Sequence, residues 1–194
     1  MRRIILASKS KARKILLERI GLKFTVTTTH VKESRSLKRG VSVLVIENAL
    51  AKAMAAAKKY HNGVVIAADT VVLAQGKLIG KPKNLQDAQR IIKLLSQKPH
   101  LVYTGVAIID IESNKRYTAW DRTKVYMSFL SSRKIKNYCR KYLPFDKAGS
   151  FDIQGPGALL VERIEGCFYN VVGLPLAKLA KILVKLKIDI FNEI

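Results

Sequence analysis

Residues 63–75 read GVVIAADTVVLAQ, and this run limits the fold more than any other stretch of the chain. Positions 64–68 and 71–73 are aliphatic and rich in β-branched side chains, the composition of a buried strand. Asp69 interrupts them. A carboxylate taken from water into such surroundings must be paired, hydrogen-bonded or bound to a cation. Two readings follow. Either the strand ends or bulges at Asp69 and lets the acid reach solvent, or a rigid element carries an acid meant to hold a metal or a water.

The rest of the chain alternates strand and helix. RRIILAS is a short strand, and KARKILLERIG a helix with Ile15, Leu16 and Ile20 on one side and Gly21 as its stop. LKFTVTTTHV is a second strand. Over residues 42–60, Ile46, Ala49, Leu50, Ala53 and Ala57 recur at helical spacing. After the Asp69 strand, KLIGKP is a short extension, and NLQDAQRIIKLLSQ is a helix capped by Asn84, with Asp87 completing a capping-box variant. LVYTGVAIIDIE and RYTAWDRTKVYMSF flank a Ser113-Asn114 turn. A basic helix over residues 132–142 leads into the glycine-punctuated PFDKAGSFDIQGPGALLVERIEG, a loop feeding a strand, and LPLAKLAKILVKL closes the chain as an amphipathic helix. The pattern predicts one α/β domain over residues 1–194 with a mixed sheet. No G-x-G-x-x-G follows a strand, which argues against a dinucleotide-binding fold.

Composition narrows the function classes. A hydrophobic content of 48% over 194 residues supplies a packed core, and no apolar run reaches the roughly 18 residues of a membrane span. The basic N-terminus regains charge at Lys9, too soon for a signal-peptide core, so the expectation is a cytoplasmic protein. Cys139 and Cys167 lie far apart and predict two buried thiols; His30, His61 and His100 match no zinc spacing. The net charge of +22 points to a polyanionic partner: nucleic acid, an anionic membrane surface or a phosphorylated substrate. The lysines recur on every helix, however, as solvated faces do. An aromatic content of 7%, with no RNA- or DNA-binding signature, argues against nucleic acid.

Several residues have site chemistry. Ser8 and Ser10 stand at a strand-to-helix junction, where free backbone N–H groups and the helix dipole favour phosphate, with Lys9, Lys11 and Arg13 around them. The plainer alternative makes Ser10 an N-cap and leaves the cations in water. In IGKP, Gly80 and Pro82 hold Lys81 on a short arm; the plainer alternative is a turn carrying a solvated lysine. Lys52, in an alanine-rich helix, either reaches an anion or lays its stem on the surface. Glu33 is a second acid or a free loop glutamate. Together they sketch two carboxylates for a divalent cation such as Mg²⁺ or Mn²⁺, with cations for phosphates. Water attacking a phosphoanhydride is the chemistry that set would support.

The ordered segments LASKSKARKILL, HVKES, AKA at 51–53, AADTVV, IGKP, YTGVAI, DKAGSFDIQG and NVVGLPL resemble the motifs of the Maf family of nucleoside triphosphate pyrophosphatases, from Leu6 to Leu176. The resemblance implies an elongated, curved, mixed β-sheet of the Maf/ITPase type, flanked by helices, with two lobes around a cleft. It implies hydrolysis of a nucleoside triphosphate substrate to monophosphate and pyrophosphate with a divalent cation. It further implies clearance of unwanted nucleotides, a link to arrest of septum formation, and a homodimer for which the hairpin region is a candidate interface. By position, Asp69 would activate water and touch the metal, Glu33 would join it there, and Ser8, Arg13, Lys52, Lys81 and Lys147 would hold the triphosphate.

Base choice rests on three further positions. Thr70 and Gln154 are similar to the dTTP/UTP branch; the branch acting on 7-methyl-GTP has Gln and Glu there. Ala12 departs from both, standing where the dTTP/UTP branch has arginine, and Lys11 replaces its usual proline. The arginine's loss removes a charge-assisted contact worth about 1.5–3 kcal/mol, and lysine does not reproduce its fork. Two rivals to a working pyrophosphatase remain at this point: a basic nucleic-acid-binding protein, and a nucleotide sensor with weak turnover on the same scaffold.

Overall fold

A computed structural model of the chain describes residues 2–143, 145 and 147–191. Seven strands form one mixed sheet: β1 (Ile4–Ala7), β2 (Thr25–Thr27), β3 (Val64–Ala74), β4 (Lys77–Ile79), β5 (His100–Asp110), β6 (Lys115–Met127) and β7 (Val161–Glu165). Their order is β2-β1-β3-β5-β6-β7, with β4 paired to β3. β1 runs parallel to both neighbours, with Ile5 opposite Thr25 and Val65. The β3–β4 and β6–β7 pairs are antiparallel, the latter with an irregularity at Tyr126 and Met127. The helices are α1 (Lys11–Arg19), α2 (Val41–Ala57), α3 (Leu85–Leu95), α4 (Ser132–Tyr142), α5 (Phe168–Val172) and α6 (Leu176–Lys185). Short 3-10 turns at Ala148–Ser150 and Pro156–Leu160 occupy the glycine-rich stretch.

The chain divides into two compact units. The first comprises Met1–Asp69, Thr104–Asp121 and Gly173–Ile194, and the second Thr70–Tyr103 and Arg122–Val172. In the first, Ile5 and Ala7 of β1, Val65 and Ala67 of β3, and Ala107 and Ile109 of β5 pack against Ala49, Ala53 and Ala56 of α2. Successive side chains of a strand alternate faces, so positions 65, 67 and 69 share the face that α2 covers. Small alanines let the helix lie close to that face. Gly105 takes this furthest: a Cβ there would stand 2.4 Å from the Val45 carbonyl, so only hydrogen fits. In the second unit, α3 and α4 supply Ala88, Ile91, Ile92, Leu95, Ile135, Tyr138 and Cys139 to a core shared with Val72, Val102, Val125 and Phe151.

Three expectations need correcting. The second strand shrinks to three residues, because β2 is an edge strand paired with β1, which is four residues long. In α1 the buried pair is Leu16 and Leu17, while Ile15 is 41% exposed. The inward stripe is therefore 13, 16, 17 and 20, headed by Arg13 rather than by an aliphatic residue. In α2 the fully buried set is Leu44, Val45, Asn48, Ala49, Ala53 and Ala56, with Ile46, Leu50 and Ala57 only half-buried. The caps match the sequence more closely. Asn84 accepts from the Asp87 N–H at 2.9 Å, although the Asp87 carboxylate accepts from Lys83 N–H instead of closing back on Asn84.

Candidate active site

Asp69 lies mid-strand and is 4% exposed, so neither a strand end nor a solvent-facing bulge explains it. Its partners come from α2, four residues apart and hence on one helix face. Lys52 Nζ stands 2.7 Å from Asp69 Oδ1 and 2.5 Å from Glu33 Oε1, so one ammonium joins both acids. Asn48 Nδ2 donates to Asp69 Oδ2 at 3.0 Å. The seam of alanines that packs α2 on the sheet thus continues into a polar pair aimed at the one acid of the strand. Lys52 does not lay its stem on the surface, and Glu33 is not a free loop residue, although its side chain stays more than half exposed. Charge-assisted contacts of this kind satisfy the burial cost of Asp69.

At the strand-to-helix junction after β1, Ser10 is the N-cap of α1 and accepts from Arg13 N–H at 3.4 Å. Ser8 Oγ accepts from Ser10 N–H at 3.2 Å and from Arg13 Nη1 at 3.3 Å. Arg13 Nε donates to the Gly173 carbonyl at 2.7 Å, which fixes the guanidinium at the head of the inward stripe. Burial pulls Arg13 below the usual guanidinium range, opposed by the charges of Asp69 and Glu33. Arg13 therefore lies within the field of the two acids. Ala12 is half-buried on the first turn of α1, and Lys9 and Lys11 face solvent.

The second unit holds the other candidates. Thr70 follows Asp69 on β3 and is half-buried; Lys81, two residues beyond β4, is exposed. Lys147 Nζ stands 3.6 Å from Asp152 Oδ2. The other Asp152 oxygen accepts from Gln154 N–H at 3.0 Å, and the Asp152 carbonyl from Gly155 N–H. A Cβ on Gly157 would sit 2.5 Å from Asp152 N, so a glycine at 157 makes room for the fold-back of this segment. Asp146 of the DKAG motif lies outside the described residues. Cys139 is buried, its thiol pushed up to about 11 by burial, whereas Cys167 is half-buried, against the expectation of two buried thiols. Among the described residues no three His, Cys, Asp or Glu side chains gather in a metal-binding group. Two carboxylates that one ammonium can touch together do suit a shared hard cation completed by phosphate oxygens.

Sequence reasoning missed Asn48. Its signal was present: a polar side chain beside the buried seam of α2, one turn before Lys52.

Such a fold and such a cluster define an α/β protein that sets an ammonium and a guanidinium around paired acids, an arrangement suited to an anionic, cation-bearing ligand. The sequence model of the family described as Maf-like protein matches residues 3–186, and the chain belongs to that family. A dTTP/UTP pyrophosphatase of Methanosarcina barkeri is 44% identical over 194 residues, covering 100% of this chain and 98% of its own. One of Dictyoglomus turgidum is 45% identical over 93% of this chain and 94% of its own, and one of Bacillus cereus 43% identical over 98% of each. No helix among the described residues is long and apolar enough to cross a membrane.

Proposed function

We propose that the chain hydrolyses dTTP and UTP to the nucleoside monophosphate and pyrophosphate. It is a nucleoside triphosphate pyrophosphatase of the Maf family, a reading supported by full-length relatives of that name at 42–45% identity. The observation that carries the chemistry is Asp69: an acid sealed into a central strand, with one oxygen turned to Lys52 and the other held by Asn48. A nucleic-acid-binding role has only the net charge behind it.

In this reading Asp69 Oδ1 accepts the proton of the attacking water as the new P–O bond forms and the bond to pyrophosphate breaks. Glu33 and Asp69 would hold Mg²⁺ or Mn²⁺, which when bound neutralises phosphate charge and polarises the phosphorus centre. Lys52 exchanges its carboxylate contacts for phosphate oxygens, and Arg13, steadied by Ser8 and the Gly173 carbonyl, adds its positive charge for the same anion. Lys81 and Lys147 serve as further phosphate-binding cations, and Thr70 and Gln154 take part in choosing the base. The whole 1–194 chain acts as one catalytic domain in the cytoplasm, a homodimer that clears unwanted nucleotides and bears on septum formation.

The test is a panel of nucleoside triphosphates, modified bases included, with Mg²⁺ or Mn²⁺ and detection of pyrophosphate. Release from dTTP and UTP ahead of the purine nucleotides is the expected result. No pyrophosphate from any of them would end the proposal.

A further inference from the structure

We infer that Asn48 is a positioning residue that fixes the two acids of the site relative to each other, an inference that rests on Asp69 being the proton acceptor. The residue is 5% exposed, and its side-chain amide makes three hydrogen bonds. Oδ1 accepts from Ser34 N–H at 2.8 Å, while Nδ2 donates to the Ser34 carbonyl at 3.1 Å and to Asp69 Oδ2 at 3.0 Å. Both amide protons are used, and the orientation is forced: with oxygen and nitrogen exchanged, an acceptor would face two acceptors.

Ser34 directly follows Glu33, in a stretch between β2 and α2 that has no helix or strand of its own. Nothing regular holds Glu33 in place. Beside the Lys52 ion pair to its carboxylate, Asn48 of the packed helix clamps the backbone next to Glu33 and the carboxylate of Asp69 at once. Because Asn48 occupies Oδ2, the carboxylate presents Oδ1 to Lys52, the oxygen proposed to accept the attacking water's proton. An amide is the group this place requires. A carboxylate at 48 would supply no donor and would repel Asp69, and a hydrocarbon would leave the Ser34 N–H and C=O to water. Catalytic groups held this way lose about 10²-fold in rate for a misplacement of about 1 Å.

The experiment pairs kinetics with backbone amide exchange on the full-length protein. In Asn48→Ala the Ser34 amide loses protection, kcat for dTTP falls by about 10²-fold, and KM stays within about threefold, while amides of residues 64–68 keep wild-type protection. Asn48→Asp retains the acceptor for Ser34 N–H and loses both donors, so it keeps more of the Ser34 protection yet loses kcat at least as severely. Loss of Ser34 protection with kcat unchanged would overturn the inference, as would a KM effect larger than the kcat effect. If Asn48→Ala exposes residues 64–68 as well, Asn48→Ser, which keeps a hydroxyl donor, replaces it in the same comparison. A wild-type protein that releases no pyrophosphate would sink the enzymatic reading instead, and the Ser34 exchange contrast would still decide whether the clamp exists.

Discussion

Asp69 in the first unit and His100 in the second are both nearly sealed from solvent, at 4% and 1% exposure, yet their surroundings are opposite. Asp69 is met by an ammonium on one oxygen and an amide on the other. His100 packs edge-on against Phe151, ring centroids 5.8 Å apart, and among the described residues neither ring nitrogen has a partner in bonding geometry. The buried Ser150 hydroxyl is likewise unpartnered. Burial drives the His100 imidazole down to about 4, against a weaker upward pull from the Leu95 carbonyl, so it stays neutral at physiological pH. The contrast separates two ways of burying a polar group. Where partners reach the group from a packed helix, the site can work with charge; where none do, the group is kept neutral and serves packing.

The contrast breaks most visibly at Asp69. Asp69→Asn keeps the size of the side chain and removes its basicity, so kcat falls by about 10³-fold with circular dichroism near wild type, while the thermal midpoint drops because Lys52 loses its buried acid. An unchanged kcat would show that the buried acid is not the proton acceptor. Removing the ammonium comes next. Lys52→Met leaves Glu33 and Asp69 without their shared ammonium and costs about 3 kcal/mol of stability, the low end for a broken buried pair because Glu33 is half in water and Arg13 still acts on both acids. Turnover per KM drops between about tenfold and a hundredfold, the worth of one charge-assisted phosphate contact. A denaturant series and steady-state kinetics check both figures.

His100 tests the neutral side of the contrast. Its folded pKa is depressed, so the unfolded chain takes up the proton first. Stability contributed by neutral His100 is complete above about pH 6.5 and is lost as pH falls towards about 4. That loss amounts to about 3 kcal/mol, and chemical denaturation at several pH values should show a flatter profile in His100→Leu. An identical profile would place the acid sensitivity elsewhere. The smallest effect belongs to Ala12→Arg, which restores a guanidinium on the first turn of α1. The expected gain in kcat/KM for dTTP or UTP is about tenfold, and no gain would remove this position from base selection.

Much of this was legible in the sequence where one residue type has one physical meaning. An acid in a β-branched run marked Asp69, and Ser10 and Asn84 announced the helix starts because their side chains replace missing backbone acceptors. The phase of α1 was not legible: Ile15, Leu16, Leu17 and Ile20 fit two overlapping stripes, and the burial of Leu17 with Ile15 left exposed decides between them. Asn48 was hidden because its partners, Ser34 and Asp69, lie 14 and 21 residues away and meet it only when α2 lies down on the sheet. The junction of Lys52 with two acids was hidden for the same reason. Separate residues suggested metal and phosphate ligands, whereas the fold lets them neutralise one another.

Crystals grown with Mn²⁺ and a non-hydrolysable dTTP analogue, examined by anomalous scattering, would locate the cation. The account predicts manganese bonded to Asp69 and Glu33, with the Lys52 ammonium moved onto phosphate oxygens. Manganese bound elsewhere, with the Lys52 bridge to both carboxylates intact beside bound nucleotide, would contradict it.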